Sequence, residues 1–127
     1  KLAVESCKKH KIRVHPKGTA VIIQGPRFST KAESKWFTQM GWDVVNMTIY
    51  PEVVLAREAE ICYLNISLVT DYDVGVEGIK PVNIEEVIKV FSQNIENVKK
   101  VILDIVKKIP NNYKCSQCHE ALKNAEV

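Results

Sequence analysis

Long apolar runs are missing from this sequence of 127 residues. None approaches the roughly 20 consecutive apolar residues that a membrane-spanning helix needs. Glycine and proline are scarce, with 5 of each, which excludes collagen-like and low-complexity chains. Neither sign of charge dominates, and the net charge of +3 is too small to indicate a nucleic-acid partner. The 46% of hydrophobic and 26% of charged residues are typical of an ordinary globular protein. We expect neither a nucleic acid nor a membrane as a partner.

An initiator methionine is also missing, because the chain begins with Lys1, and no signal-peptide pattern follows it. The first predicted helix begins at Leu2 with no capping residue before it. We therefore expect this chain to be a portion of a longer protein, located in the cytoplasm.

Apolar periodicity predicts helices that alternate with strands. The predicted helices lie at 2–11, 31–40, 52–59 and 83–108, with a short helix or tail at 115–125, and the predicted strands lie at 19–24, 42–49 and 60–69. Thr30 and Glu33 form a capping box, and Gly41 is a typical residue just beyond a helix end. Asn83 and Glu86 give a similar start to the long helix, whose apolar residues form one stripe. This order predicts an α/β fold with helices packed on a mostly parallel or mixed sheet.

Ligands of such sheets bind at the carboxyl ends of the strands, so the segments that follow the predicted strands are candidate sites. Phe28 offers either an aromatic face for a planar ligand or a cover for the core. Thr48, just before a helix, suits a phosphate or simply completes a turn. Asp71 and Asp73 share one side if the strand continues, which suits an acid–acceptor pair or a metal, or they cap a loop.

The cysteines allow several interpretations. The pattern C-x-x-C-H at 115–119 is shared by c-type haem attachment sites, redox pairs and half of a zinc site. A zinc site needs a second pair of ligands, and Cys7, Cys62, His10 and His15 show no ligand spacing. We therefore favour a structural or redox disulfide over a metal or cofactor site, with the pairing open, and we interpret His10 and His15 as solvated. The disulfide candidates are Cys7, Cys62, Cys115 and Cys118.

Three segments together carry a resemblance to a known family. They read G-P-R-F-S-T-K-A-E-S at 25–34, N-M-T-I-Y-P-E-V-V-L-A-R-E-A at 46–59 and T-D-Y-D at 70–73. In this order and spacing they resemble the 5′-methylthioadenosine phosphorylases, members of the trimeric-type purine nucleoside phosphorylases. The resemblance extends over about residues 1–109. It implies a three-layer α/β/α fold with a mixed central sheet, of which 1–127 is the C-terminal portion of one domain. The tail at 110–127 resembles the cysteine-rich C-termini of heat-adapted archaeal members.

The resemblance also implies which residues hold the substrate. Phe28 corresponds to the aromatic residue that stacks on the purine, and Ser29 stands where enzymes for 6-oxopurines have Glu. Met47 lies beside the ribose. Ile84 and Ile88, one turn apart on the long helix, correspond to apolar residues around the 5′-methylthio group.

Phosphate binding and catalysis are implied in the same way. Thr48 resembles a phosphate ligand, and Asp71 resembles the carboxyl group that bonds N7 of the departing adenine, with Asp73 near the 6-amino group. An Asp at position 71 suits 6-aminopurines, whereas Asn suits 6-oxopurines. A hydrogen bond or proton at N7 stabilises the leaving group while phosphate attacks C1′.

The implied activity is phosphorolysis of 5′-methylthioadenosine to adenine and 5-methylthioribose 1-phosphate, as part of purine and methionine salvage. Phosphate is a co-substrate, and no metal or organic cofactor is expected. The expected partners are the N-terminal half of the enzyme and further copies in a trimer or hexamer. One alternative is a broader purine nucleoside phosphorylase acting on adenosine, inosine or guanosine. A second is a non-catalytic redox or haem-binding module built on Cys115 and Cys118.

Overall fold

Helices and strands alternate over the first half of the chain, as predicted, and further helices follow, which confirms the α/β class. The computed structural model describes residues 1–74, 78, 82–123 and 125. In chain order the elements are α1 (Leu2–Lys9), β1 (Ala20–Ile22), α2 (Lys31–Gln39), β2 (Val44–Asn46), α3 (Glu52–Glu58), α4 (Ile84–Lys108) and α5 (Ser116–His119). The predicted loop at 70–82 and the tail from 110 onward fall partly outside the described residues.

The sheet consists of β1 and β2, which run parallel and pair Ala20 with Val44 and Ile22 with Asn46. Both strands are shorter than predicted, because the ladder covers only the middle of each apolar run. The ladder continues for one bond beyond β1, where the Ile23 amide donates to the Asn46 carbonyl at 3.0 Å. The two strands therefore end side by side, which brings the segments that follow them together.

The strand predicted at 60–69 is wrong. Residues 61–70 have no ladder partner among the residues that the structure describes. Their apolar side chains stay exposed, including Ile61, Leu64 and Val69. A strand needs a neighbouring backbone to accept and donate its hydrogen bonds, and the apolar run alone does not supply one.

Helix α2 forms as predicted, and its capping box is confirmed. The Thr30 hydroxyl accepts from the Glu33 amide at 3.2 Å, and the Glu33 carboxylate accepts from the Thr30 amide at 2.7 Å. At the other end Gly41 adopts a φ of 70°, a conformation that glycine reaches without strain. Trp36, Phe37 and Trp42 pack together beside this end, with ring centroids 5.4 to 5.8 Å apart.

The best-packed region lies where α1 crosses α4. Ser6 and Cys7 of α1 and Val101 of α4 are buried there. Asp104 of α4 accepts from the Ser6 hydroxyl at 3.0 Å and from Lys9 Nζ at 3.1 Å, and it contacts His10 Nε2 at 2.9 Å. The prediction of a solvated His10 is therefore wrong, because its ring binds a carboxylate across the helix pair.

Helix α4 is capped by Asn83, whose side chain accepts from the Glu85 amide at 2.9 Å. The predicted pairing with Glu86 is not the contact that caps this helix. Its apolar residues also do not form one covered stripe. Val101 faces α1, whereas Ile84 and Phe91 stay exposed. Much of the apolar surface of α4 therefore has no cover within the described part of the chain.

Replacing Val101 by Ala tests the α1–α4 contact. Val101 is only 2% exposed, so the truncation removes buried methyl groups and leaves a cavity. We expect a loss of about 2 kcal/mol in the free energy of unfolding, measured by urea denaturation. The same change at Val106, which lies on α4 with 65% exposure, is the matched control and should cost less than about 0.5 kcal/mol. Equal losses from the two variants would contradict this packing.

The Asp104 contacts predict a specific dependence of stability on pH. Hydrogen bonds from Lys9, His10 and Ser6 lower the pKa of Asp104 from 3.8 to about 2. Since the folded state holds the charged form, the stabilisation is complete above the ordinary pKa and is lost as the pH falls from about 4 to about 2. Asp104→Asn should therefore lower the urea midpoint at pH 6 and differ little from the parent chain near pH 2. A deficit of the same size at both pH values would contradict this role.

No helix within the described ranges is long and apolar enough to cross a membrane.

Candidate functional site

A pocket of about 300 Å³ opens at the carboxyl ends of β1 and β2. Its lining comes from both strand ends: Ile22, Ile23, Gln24, Met47 and Tyr50. The chain leaves β1 through the cis bond Gly25–Pro26 and enters α3 through the cis bond Tyr50–Pro51. The pocket therefore lies where the α/β pattern predicts a ligand, and of the predicted site residues it includes Met47.

The segment after β1 is fixed by an ion pair between Arg27 and Glu33. Two guanidinium nitrogens contact the two carboxylate oxygens at 2.8 and 2.7 Å, and the same guanidinium donates to the Phe28 carbonyl at 3.1 Å. Glu33 thus serves the helix cap and this clamp at once. Arg27 positions this segment, and no spacing rule in the sequence predicted its contact with Glu33.

The charge of Glu33 is strongly favoured. The Arg27 hydrogen bonds, followed by those from Thr30, lower the pKa of Glu33 from 4.5 to about 2. Because these contacts need the carboxylate, the clamp is intact above the ordinary pKa of a glutamate and weakens only as the pH falls toward 2.

Phe28 and Ser29, which the clamp holds, have opposite surroundings. The Phe28 ring is 54% exposed, so it does not cover the core of the described chain. Ser29 is only 6% exposed, and its Oγ has no hydrogen-bond partner among the described residues. A buried hydroxyl without a partner is costly, so Ser29 is a candidate to bond a ligand or a further protein segment.

Asn46 organises the segment after β2. Its Oδ1 accepts from the Thr48 amide at 2.7 Å, the Ile49 amide at 2.8 Å and the Thr48 hydroxyl at 3.3 Å. The two amides are therefore not free to bind a phosphate. The Thr48 hydroxyl also donates to Asn46, so it must turn away from the Asn46 side chain before it can donate to an anion. The sequence analysis assigned no role to Asn46, although Asn is typical of turns that bond their own backbone.

Gly25 and Met47 bring the two segments into close contact. A Cβ atom added at Gly25 would lie 3.0 Å from the Met47 sulfur, tighter than ordinary van der Waals contact. Glycine at this position therefore lets the Met47 side chain lie against the turn after β1, on the wall of the pocket.

Asp71 and Asp73 follow the segment 61–70 and make local contacts. Asp71 is exposed and accepts from the Thr70 hydroxyl at 2.6 Å, whereas Asp73 accepts from the Val74 amide at 2.8 Å. Neither carboxylate lines the pocket, so the described chain does not bring them together with Met47. Their predicted catalytic roles remain predictions.

Ile84 and Ile88 lie one turn apart at the start of α4, as predicted, and are 60% and 59% exposed. They do not line the pocket either. Two apolar side chains left open on one face suit an apolar group or another protein segment, and their role toward a methylthio group stays a prediction.

Three of the four cysteines have their thiol groups close together. The thiol sulfurs of Cys62, Cys115 and Cys118 all lie within 4.8 Å of one another, whereas Cys7 is buried on α1. All four are free thiols. Hydrogen bonding to Cys118, burial and Cys115 raise the pKa of Cys62 to about 12, while the Cys118 amide lowers the pKa of Cys115. The predicted disulfides stay a prediction, and sequence spacing could not show that Cys62 meets the tail.

Comparison with known proteins identifies the family of this chain. A sequence profile of the phosphorylase superfamily matches residues 1–107. The chain belongs to the phosphorylase superfamily. Its α/β fold is that of a nucleoside phosphorylase, as the resemblance implied.

Individual relatives give the same family. The chain is 50% identical over 126 residues to the S-methyl-5′-thioadenosine phosphorylase of Thermofilum pendens, covering 99% of this chain and 47% of that protein. Its structure superimposes on a Schistosoma mansoni methylthioadenosine phosphorylase in complex with adenine, with a TM-score of 0.78, 33% identity and coverage of 96% and 48%. A mutant S. mansoni adenosine/methylthioadenosine phosphorylase in complex with methylthioadenosine gives a TM-score of 0.76, 33% identity and coverage of 96% and 46%. The chain therefore spans about half the length of these phosphorylase superfamily members.

Proposed function

We propose that the protein to which this chain belongs converts 5′-methylthioadenosine and phosphate to adenine and 5-methylthioribose 1-phosphate. The observation that carries the proposal is the 50% identity, over almost the whole chain, to a relative named for this reaction. The pocket position supports it, because related structures carry adenine or methylthioadenosine and the pocket lies at the strand ends where this fold class binds ligands.

The proposed purine side consists of Phe28, Ser29 and Met47. Phe28 offers an exposed ring next to a clamp that fixes its backbone, and an exposed ring is available for stacking on a purine. Ser29 offers a buried hydroxyl without a partner. Met47 offers a flexible thioether on the pocket wall, suited to the less polar face of a ribose.

The proposed reaction uses Asp71, Asp73 and Thr48. A carboxyl group at N7 of the purine stabilises the departing base as the bond to C1′ breaks, and we assign this to Asp71. Asp73 lies two residues further and is assigned to the 6-amino group. Thr48 is exposed, and we assign its hydroxyl to phosphate, to which it would donate in place of Asn46. No metal or organic cofactor is proposed for this reaction.

The proposed partner is the N-terminal half of the same domain. The chain covers 47% of a relative that it matches along nearly all of its own length, so about half of the fold lies outside it. The exposed apolar side chains fit such a partner, because extensive exposed apolar surface is typical of an interface. They include Ile61, Leu64, Val69, Ile84, Ile88 and Phe91. Further copies in a trimer or hexamer, and a cytoplasmic location, remain part of this proposal.

A broader specificity is the second candidate, because a relative of similar fold is named an adenosine/methylthioadenosine phosphorylase. The two candidates differ in turnover, so kcat/KM should be measured for methylthioadenosine, adenosine and inosine in the protein completed by its N-terminal half. We expect phosphate-dependent release of adenine from methylthioadenosine and much weaker release of hypoxanthine from inosine. Comparable values for inosine and methylthioadenosine would replace the proposal by the broader activity.

A further inference from the structure

The thiols of Cys62, Cys115 and Cys118 are brought together from two distant parts of the chain. Cys115 precedes α5 and Cys118 lies within it, so the first turn of this helix places both on one side. The turn is closed by the Cys118 and His119 amides, which donate to the Cys115 carbonyl at 3.2 and 2.9 Å. Cys62 lies far earlier in the chain, just beyond α3.

Cys62 is positioned by the end of α3. The Ile61 amide donates to the Ala56 carbonyl at 2.8 Å, and Glu60 adopts a φ of 55°. This left-handed residue turns the chain sharply after the helix. The segment 61–70 therefore begins at a fixed point, and Cys62 is its second residue.

Two contacts that involve no cysteine hold the tail against this point. Arg57 Nη1 donates to the Gln117 carbonyl at 3.4 Å, and the Leu122 amide donates to Glu60 Oε1 at 3.1 Å. The tail is thus docked on both sides of Cys118, and the meeting of the three thiols follows from the docking of backbone and side chains around them.

We propose that Cys62, Cys115 and Cys118 form a zinc-binding site that ties the C-terminal tail to the end of α3. Zinc binds thiolates at about 2.3 Å in tetrahedral geometry, which places ligand sulfurs about 3.8 Å apart. The three sulfurs already lie within 4.8 Å of one another, so small movements of the side chains complete this arrangement. A solvent molecule takes the fourth position.

The number of thiols favours a metal over a disulfide. A disulfide joins two sulfurs and leaves the third without a function, whereas zinc uses all three. The C-x-x-C spacing of Cys115 and Cys118 is that of many zinc sites, and Cys62 supplies the further ligand that the sequence spacing did not reveal. Zinc binding replaces the thiol protons by metal bonds, so it releases protons and strengthens as the pH rises.

The test is zinc binding by the complete 127-residue chain, purified anaerobically and titrated with Zn²⁺ against a chromophoric chelator. We expect one equivalent to bind and three of the four thiols to become protected from a thiol reagent. Cys62→Ser and Cys118→Ser should each weaken binding by about tenfold or more. Cys7→Ser is the matched control, because Cys7 lies on α1 apart from the cluster, and it should leave the affinity unchanged.

Several results would overturn the site. They are no retained equivalent of zinc, protection of two thiols or fewer, or an affinity that Cys62→Ser leaves unchanged. Far-UV circular dichroism checks that the variants fold, and if either serine variant unfolds, the thiol protection count of the unaltered chain decides. None of these measurements depends on phosphorylase activity.

Discussion

Asp71→Asn is expected to lower the rate of adenine release from methylthioadenosine by roughly 100- to 10,000-fold in the completed enzyme, the range that general acid–base groups contribute. The amide is not acidic and cannot supply the proton or the charge-assisted bond that the departing adenine needs at N7. An Asn at this position suits 6-oxopurines, so the activity ratio should shift toward inosine. Steady-state kinetics with both nucleosides measure the two effects.

Asp104→Asn is the matched control for this experiment. It makes the same chemical change at the α1–α4 contact, where the carboxylate binds Ser6, Lys9 and His10. It should lower stability while leaving kcat unchanged at a temperature where both variants are folded. A fall in kcat for Asp104→Asn that matches the fall for Asp71→Asn would contradict the assigned role of Asp71.

Asn46→Ala is expected to have the second-largest effect, a loss of roughly 100-fold in kcat/KM for phosphate. Removing the amide oxygen releases the amides of Thr48 and Ile49 from the atom that fixes this turn, so the position of Thr48 is no longer held. Displacement of a positioned group by about 1 Å is enough for a loss of this size. Asn46 does not contact phosphate in this account, so its effect is indirect.

Asn46→Asp keeps an oxygen acceptor at the same place but adds a negative charge next to the proposed phosphate ligand. It should keep the turn folded and still raise the KM for phosphate by charge repulsion, whereas a residue with a merely structural role would show the same KM for phosphate in all folded variants. Unchanged phosphate kinetics in Asn46→Ala would show that this turn does not position the phosphate side of the site.

The helices were predictable because their signals are local. The capping pair Thr30 and Glu33 and the stop at Gly41 act within a few residues, and the structure confirms each of them. The segment at 60–69 was not predictable in the same way, because its apolar residues indicate burial and the structure provides no strand to pair with it among the described residues. Local composition does not encode the presence of a distant partner.

The same contrast between local signals and long-range contacts applies to the candidate site. A ligand site at the strand ends followed from the alternation of elements, and the pocket there is lined by Met47, which the family resemblance had implied. The contacts of Arg27 and Asn46 were not predicted. Both residues bind nearby side chains or backbone, and the sequence does not show which of the many possible local contacts form. The meeting of Cys62 with the tail depends on how α3 and α5 dock, which no residue spacing reports.

The central claim is that this chain carries the purine side of a phosphorylase site that its N-terminal half completes. The most direct test is phosphate-dependent release of adenine from methylthioadenosine by this chain alone, by the N-terminal portion of the parent protein alone, and by the two together. We predict activity only in the combined sample, dependent on phosphate and lost in Asp71→Asn. A folded complex that releases no adenine, or one that releases it without phosphate, would contradict the account.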